Sequence, residues 1–172
     1  HPEPMSDFDR LFSPFMFMDG EHYIEIAMRG YRAQGREHLW AFFPLYPHLA
    51  RWLGAIVGSV PLAGVLISQL AHLASLFYLR GLARMHGDEN FARRAVVFCL
   101  AFPAGAYWHF FYTESVYFLL LTACFYHAFR SEYARAGIFG ALAATARSPG
   151  LMLIPAFAFG LMNRSGWKLR FE

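Results

Sequence analysis

The sequence predicts an all-α fold: a polytopic transmembrane helical bundle with an amphipathic helix on its outer face. Three observations lead there. Only 16% of the 172 residues are charged and 57% are hydrophobic, where ordinary soluble domains carry about 25% charged residues. The mean hydropathy is +0.31. Several apolar runs have no polar face, and a helix packed on one side in water needs one. Membrane lipid is therefore the first expected partner.

The net charge is +3, and the basic residues are scattered. No basic stripe with interleaved aromatics is present, so nucleic acid is not an expected partner. Cys99 and Cys124 fall inside apolar runs and read as small buried hydrophobes. The chain opens at His1 and stops at Glu172 after a basic cluster. It reads as one membrane domain, 1–172, cut from a longer polytopic protein. Residues 1–52 form an outer loop and 53–172 the transmembrane helices and short loops.

In order along the chain, 1–18 is an irregular lead-in with early prolines and an apolar patch at Phe12 and Phe15 to Met18. From Gly20 the pattern turns helical. Tyr23, Ile24, Ala27, Met28 and Tyr31 recur at three- and four-residue spacing, opposite Glu21, Glu25, Arg29 and Arg32. This predicts an amphipathic helix of about three turns lying on the membrane surface, closed by Gly30 and Gly35. Pro44 and Pro47 then exclude a regular helix. Trp40, Tyr46 and Trp52 are residue types that mark a water–lipid boundary.

Leu53 to Leu79 is the first span, long enough for ~30 Å of hydrocarbon. Gln69 and His72 interrupt it, and His72 is expected to bond a neighbouring helix. Gly54 and Gly58 form a GxxxG pair. Arg80 to Arg94 reads as a polar loop, Ala95 to Phe111 as a second span kinked at Pro103, and Tyr112 to Ser115 as a tight polar turn. Val116 to Phe129 is the third span, followed by a basic loop, Arg130 to Arg135. A small-residue helix, Ala136 to Ala146, is interrupted at Arg147-Ser148-Pro149-Gly150. It returns as Leu151 to Met162, a broken or re-entrant pair.

The basic segments Arg80–Arg94, Arg130–Arg135 and Arg164–Arg170 alternate with the ends bearing Asp19, Glu114 and Arg147. The positive-inside rule puts the first set in the cytoplasm, and Asp19, His22, Glu114 and Arg147 together on the outer face. The preference for arginine over lysine suits a GC-rich bacterial genome. The expected location is a bacterial inner membrane with a periplasmic site, or in a eukaryote an endoplasmic reticulum membrane with a lumenal one.

Asp19-Gly20-Glu21-His22-Tyr23 is the centre of the functional reading, because acids beside a membrane tend to be functional or interfacial. In sugar transfer a base takes the acceptor's hydroxyl proton as that oxygen attacks the anomeric carbon, and ionised Asp19 suits the role. A cation stabilises the departing phosphate, and a planar guanidinium such as Arg147 serves. Glu114 either orients a substrate hydroxyl or pairs with Arg147, and that pair is equally readable as structural. Tyr23, Tyr46, Tyr107 and Tyr112 supply aromatic surface near the mouth. Asp19 and His22 at i and i+3 make an incomplete metal site, so neither a metal nor an organic cofactor is expected.

Four motifs in order then resemble one family. Met18-Asp19-Gly20-Glu21-His22-Tyr23-Ile24-Glu25-Ile26-Ala27 with Arg29-Gly30-Tyr31 resembles the Trp-Asp-x-x-His-Phe/Tyr and Ile-Ala-x-x-Gly-Tyr pattern of the glycosylphosphatidylinositol mannosyltransferase II (PIG-V-like) family. Phe42-Phe43-Pro44 resembles its Phe-Phe-Pro motif. Tyr112-Thr113-Glu114-Ser115 resembles its Tyr-Thr-Glu-Ser turn, and Thr145 to Gly150 its Thr-Arg-x-x-Gly turn. Met18 departs from the usual tryptophan, and Ala146 stands where threonine is common. The resemblance implies a GT-C fold and an inverting transferase. It implies a polyprenyl- or dolichyl-phosphate-linked sugar, usually mannose, as donor, and a glycan, lipid or protein acceptor. It implies Asp19 as the catalytic carboxylate, with Glu21, His22, Tyr112, Glu114 and Arg147 around the substrate. The alternative is a transporter or a non-catalytic scaffold subunit. A transporter would be expected to carry a charged site near mid-membrane, where these spans are almost uncharged.

Overall fold

The computed structural model describes residues 6–31 and 37–157, and among them every regular element is helical. The all-α expectation therefore holds. Among the described residues one helix, Val60–Arg84, is long and apolar enough to cross a bilayer, and the other expected spans appear as shorter helices.

The lead-in is more regular than its prolines suggested. Helix α1, Asp7–Arg10, is capped by Ser6, whose hydroxyl accepts from Asp9 N, and a 3₁₀ turn follows at Ser13–Phe15. Helix α2, Asp19–Arg29, ends at Gly30, whose φ of 74° is left-handed. Its buried stripe is Gly20, Tyr23, Ile26 and Ala27, while Met28 is exposed. Tyr23 meets the edges of Phe42 and Tyr46 at 5.0 and 5.8 Å between ring centres. Part of the apolar face expected to lie on lipid, Tyr23 and Ala27, is thus used on protein. Arg32 and Gly35 fall outside the described residues.

Helix α3 is Leu45–Val57. It corrects the reading of Pro44 and Pro47 as helix-excluding: Pro44 is the N-cap and Pro47 lies in the first turn, where an amide N–H has no intrahelical partner in any case. Trp40 and Trp52 are well exposed, but Tyr46 is fully buried, so it is no boundary residue. Its hydroxyl donates to Gly64 O at 3.0 Å and lies 2.9 Å from Ser68 Oγ.

The expected first span is broken. Helix α3 stops at Gly58, φ 78°, and helix α4 starts at Val60 after the cap Ser59. A Cβ on Gly54 would lie 2.9 Å from Val60 Cα. The glycine pair therefore serves a tight antiparallel α3–α4 turn within the chain. Ser59 Oγ accepts from Leu62 N and donates to Asp9, 2.5 Å away, tying the lead-in to the head of α4.

Helix α4 runs 25 residues, Val60–Arg84, or about 38 Å. It absorbs Arg80 and Arg84, so the expected polar loop shrinks to residues 85–88. Helix α5, Glu89–Ala101, is 13 residues and spans only about 20 Å. The residue before Pro103 is extended, so the helix ends there rather than kinking, and Pro103–His109 continues as 3₁₀ turns. Helix α6 is Glu114–Phe129 and begins inside the expected polar turn. Helix α7, Tyr133–Ala146, starts three residues before the small-residue run. Arg147 is extended, and the chain turns back through a short apolar helix, Ser148–Phe157. The rest of the return segment and Arg164–Arg170 lie outside the described residues.

Close contacts fix directions. Gly64 packs on the Phe111 ring and Gly81 on that of Tyr126, so α4 and α6 run parallel. Cys124 Sγ donates to Ala136 O at 3.2 Å, and α7 returns antiparallel to bring Arg147 to Glu114. His72 does not bond a neighbouring helix. It stacks on Trp108, 4.7 Å between ring centres, and among the described residues neither ring nitrogen has a hydrogen-bond partner.

Candidate active site

Asp19 is the first residue of α2 and is exposed. Its predecessor Met18 has φ 53° and ψ −121°, a conformation strained for any residue but glycine. Two clasps hold this corner. Phe111 N donates to Phe15 O at 2.7 Å, and the Tyr112 hydroxyl donates to Phe17 O at 2.9 Å. Gly20 fits between them, because even a Cβ there would touch Phe111 O and the Tyr112 ring at 3.4 Å. The segment carrying Asp19 is thereby laid on the segment leading into Glu114.

Glu114 heads α6, and the Arg147 guanidinium donates to its Oε1. Both side chains remain partly exposed. Arg147 is presented by a sharp reversal. The proline at 149 cannot continue the helix, and Gly150 passes so close to α7 that a Cβ would lie 2.2 Å from Ala143 O.

Tyr23 and Tyr112 join the charges. Burial raises the Tyr23 pKa above the ordinary phenol value. The Thr113 hydroxyl opposes this, Glu114 and Asp19 add to the rise, and Arg147 counters it. The pKa of Tyr112 is raised first by burial and then by the charge of Asp19. Both phenols therefore stay neutral donors at physiological pH. The hydroxyl of Tyr23 faces Thr113, but no bond of good geometry closes, and Thr113 Oγ1 is buried without a partner.

Of the expected site residues, Asp19, Tyr112, Glu114 and Arg147 converge. His22 lies one turn along α2 and rests its ring on Phe42, 4.9 Å between centres. Glu21 is exposed in the first turn of α2. Tyr107 stacks on Tyr112 at 5.9 Å. The sequence reading missed Thr113. Its only signal was its place between Tyr112 and Glu114, and a small hydroxyl in a turn ordinarily reads as a cap.

Taken together, this is a helical chain built on one long apolar helix, with a carboxylate, an acid–guanidinium pair and neutral phenols at one end. Residues 5–169 match the family model described as Mannosyltransferase (PIG-V), and the chain belongs to that family. It is 27% identical over 156 residues to GPI mannosyltransferase 2 of Yarrowia lipolytica (strain CLIB 122 / E 150). That match covers 90% of this chain but 43% of the relative, so the chain spans less than half the length of the curated protein it matches. No solved structure matches it.

Proposed function

We propose that the full-length protein is a membrane mannosyltransferase that moves a sugar from a polyprenyl- or dolichyl-phosphate-linked donor to an acceptor hydroxyl, with inversion. The observation that supports this best is the meeting of Asp19, Tyr112 and the Glu114–Arg147 pair at one end of the bundle, from three separate segments of the chain. Asp19 takes the proton of the acceptor hydroxyl while that oxygen bonds to the anomeric carbon. The carbon–oxygen bond to the lipid phosphate breaks, and the phosphate leaves as the anion. Arg147 meets this anion with the donors that Glu114 does not use. Glu114 holds the guanidinium in place, the neutral hydroxyl of Tyr23 donates to a sugar or phosphate oxygen, and that of Tyr112, whose proton is given to Phe17 O, accepts from a sugar hydroxyl. Arg147 supplies the cation, so the scheme uses no metal.

We place the site on the extracytoplasmic side of a polytopic bundle. The similarity to GPI mannosyltransferase 2 of Yarrowia lipolytica supports an endoplasmic reticulum membrane over a bacterial one, and in our reading the site lies on its lumenal face. The test uses the full-length protein in membranes, a labelled dolichyl-phosphate mannose donor and native acceptors. Native protein transfers label, and Asp19→Asn at equal expression transfers about 10²–10⁴-fold more slowly. Equal transfer by both removes Asp19 from the mechanism.

A further inference from the structure

The end of the bundle away from Asp19 carries a second cluster of arginines. Arg80 and Arg84 pair with Glu89, and Arg130 and Arg135 with Glu132. Arg93 and Arg94 differ: among the described residues neither makes a side-chain hydrogen bond or close ion pair, and only the charge of Arg93 reaches Glu89. Asp88, the next acid along the chain, is engaged in capping α5 through Phe91 N at 2.7 Å.

Arg93 and Arg94 belong to a stripe of five exposed residues on the outward face of α5, Asn90, Arg93, Arg94, Val97 and Phe98. The stripe lines a shallow groove of about 230 Å³. The opposite face of α5 seats Ala92, fully buried. The stripe has two zones. Its first two turns offer two guanidiniums and an amide. The next turn, about 5.4 Å further along the axis, offers Val97 and Phe98, which are 58% and 72% exposed.

A single partner fits both zones. A free phosphate would engage the arginines and leave the adjoining apolar surface unused. An apolar peptide face would leave two unpaired cations against it. We propose that this face of α5 binds an anionic phospholipid. The headgroup phosphate lies between Arg93 and Arg94, Asn90 donates to it, and one acyl chain runs along Val97 and Phe98. Charge complementarity and the order of the zones along the helix match a lipid that enters the bilayer from this end. The site is separate from the transfer reaction.

The experiment is native mass spectrometry of the full-length protein released from detergent micelles containing equal phosphatidylserine and phosphatidylcholine. The native protein retains phosphatidylserine preferentially. Arg93→Gln with Arg94→Gln lowers that retention on the order of tenfold and leaves phosphatidylcholine unchanged. Val97→Ser with Phe98→Ser lowers retention of both lipids, and Arg135→Gln lowers neither. If the double glutamine variant does not fold, the single variants carry the same test, each losing about threefold. Equal retention of the two lipids by native protein overturns the proposal, as does undiminished phosphatidylserine in the arginine variants. Displacement of the lipid by millimolar inorganic phosphate also overturns it, and makes the pair a phosphate site only.

Discussion

At the scale of single residues, the proposed scheme turns on the Glu114–Arg147 pair. Both groups are partly exposed, so the pair contributes little to stability, within about 1 kcal/mol. Its value lies in aim. Glu114→Gln should leave the melting temperature almost unchanged while lowering kcat for mannose transfer by about tenfold or more, because the guanidinium loses its anchor. Arg147→Lys should cost more than Glu114→Gln, since an ammonium cannot serve a carboxylate and a phosphate at once. Steady-state kinetics on the full-length protein check both. That Asp19, Tyr112, Glu114 and Arg147 gather at one end was legible because each is a polar residue at the edge of an apolar run. Thr113 was not, because nothing in its type distinguishes a buried, unpartnered hydroxyl from an ordinary cap. Tyr46 misled for the opposite reason. Tyrosine favours interfaces, but this one finds two oxygen partners in the core.

At the scale of elements, turns govern the geometry. The α7 reversal depends on Gly150, since a methyl group there meets Ala143 O head-on. Gly150→Ala should destabilise the protein by about 1–3 kcal/mol and reduce transfer by displacing Arg147, read by thermal unfolding and activity together. The α6–α7 turn is held by charge. Arg130, His127 and Arg135 surround Glu132 and hold its carboxyl down at about 2. Its pKa is depressed on folding, so its stabilising effect is complete above the ordinary carboxylate range and fades as pH falls toward 2. The difference in melting temperature between native protein and Glu132→Gln should therefore be constant near neutrality and shrink steadily below about pH 4.5. Helix existence was legible almost throughout, from apolar runs and the stripe of α2. Helix ends were not. Gly58 was read as a packing residue inside one long span, yet it takes a left-handed turn that divides α3 from α4. Apolar content carries no record of where a chain reverses. Pro103 did mark a boundary, but its type, a stop and not a kink, depends on Phe102 being extended.

At the scale of the molecule, the arginines at the far end and the acid–arginine site at the near end are separated by the length of α6, about 24 Å. This polarity underlies the proposed sidedness. The sequon Asn163-Arg164-Ser165 lies outside the described residues; the positive-inside reading expects it on the cytoplasmic side, so it should stay unmodified in a eukaryotic host. A mobility shift on endoglycosidase treatment that maps to Asn163 would reverse the topology. The Tyr112–Phe17 clasp has its own consequence at this scale, because it joins residues 95 positions apart. Synthesis runs from the N-terminus, so the corner bearing Asp19 leaves the ribosome long before its partners exist. Closing so large a loop carries an entropic penalty that only the later helices offset. A nascent or truncated chain therefore holds its carboxylate without the opposing cation. Under the proposed scheme, assembly order alone withholds the site until the last of these helices is in place.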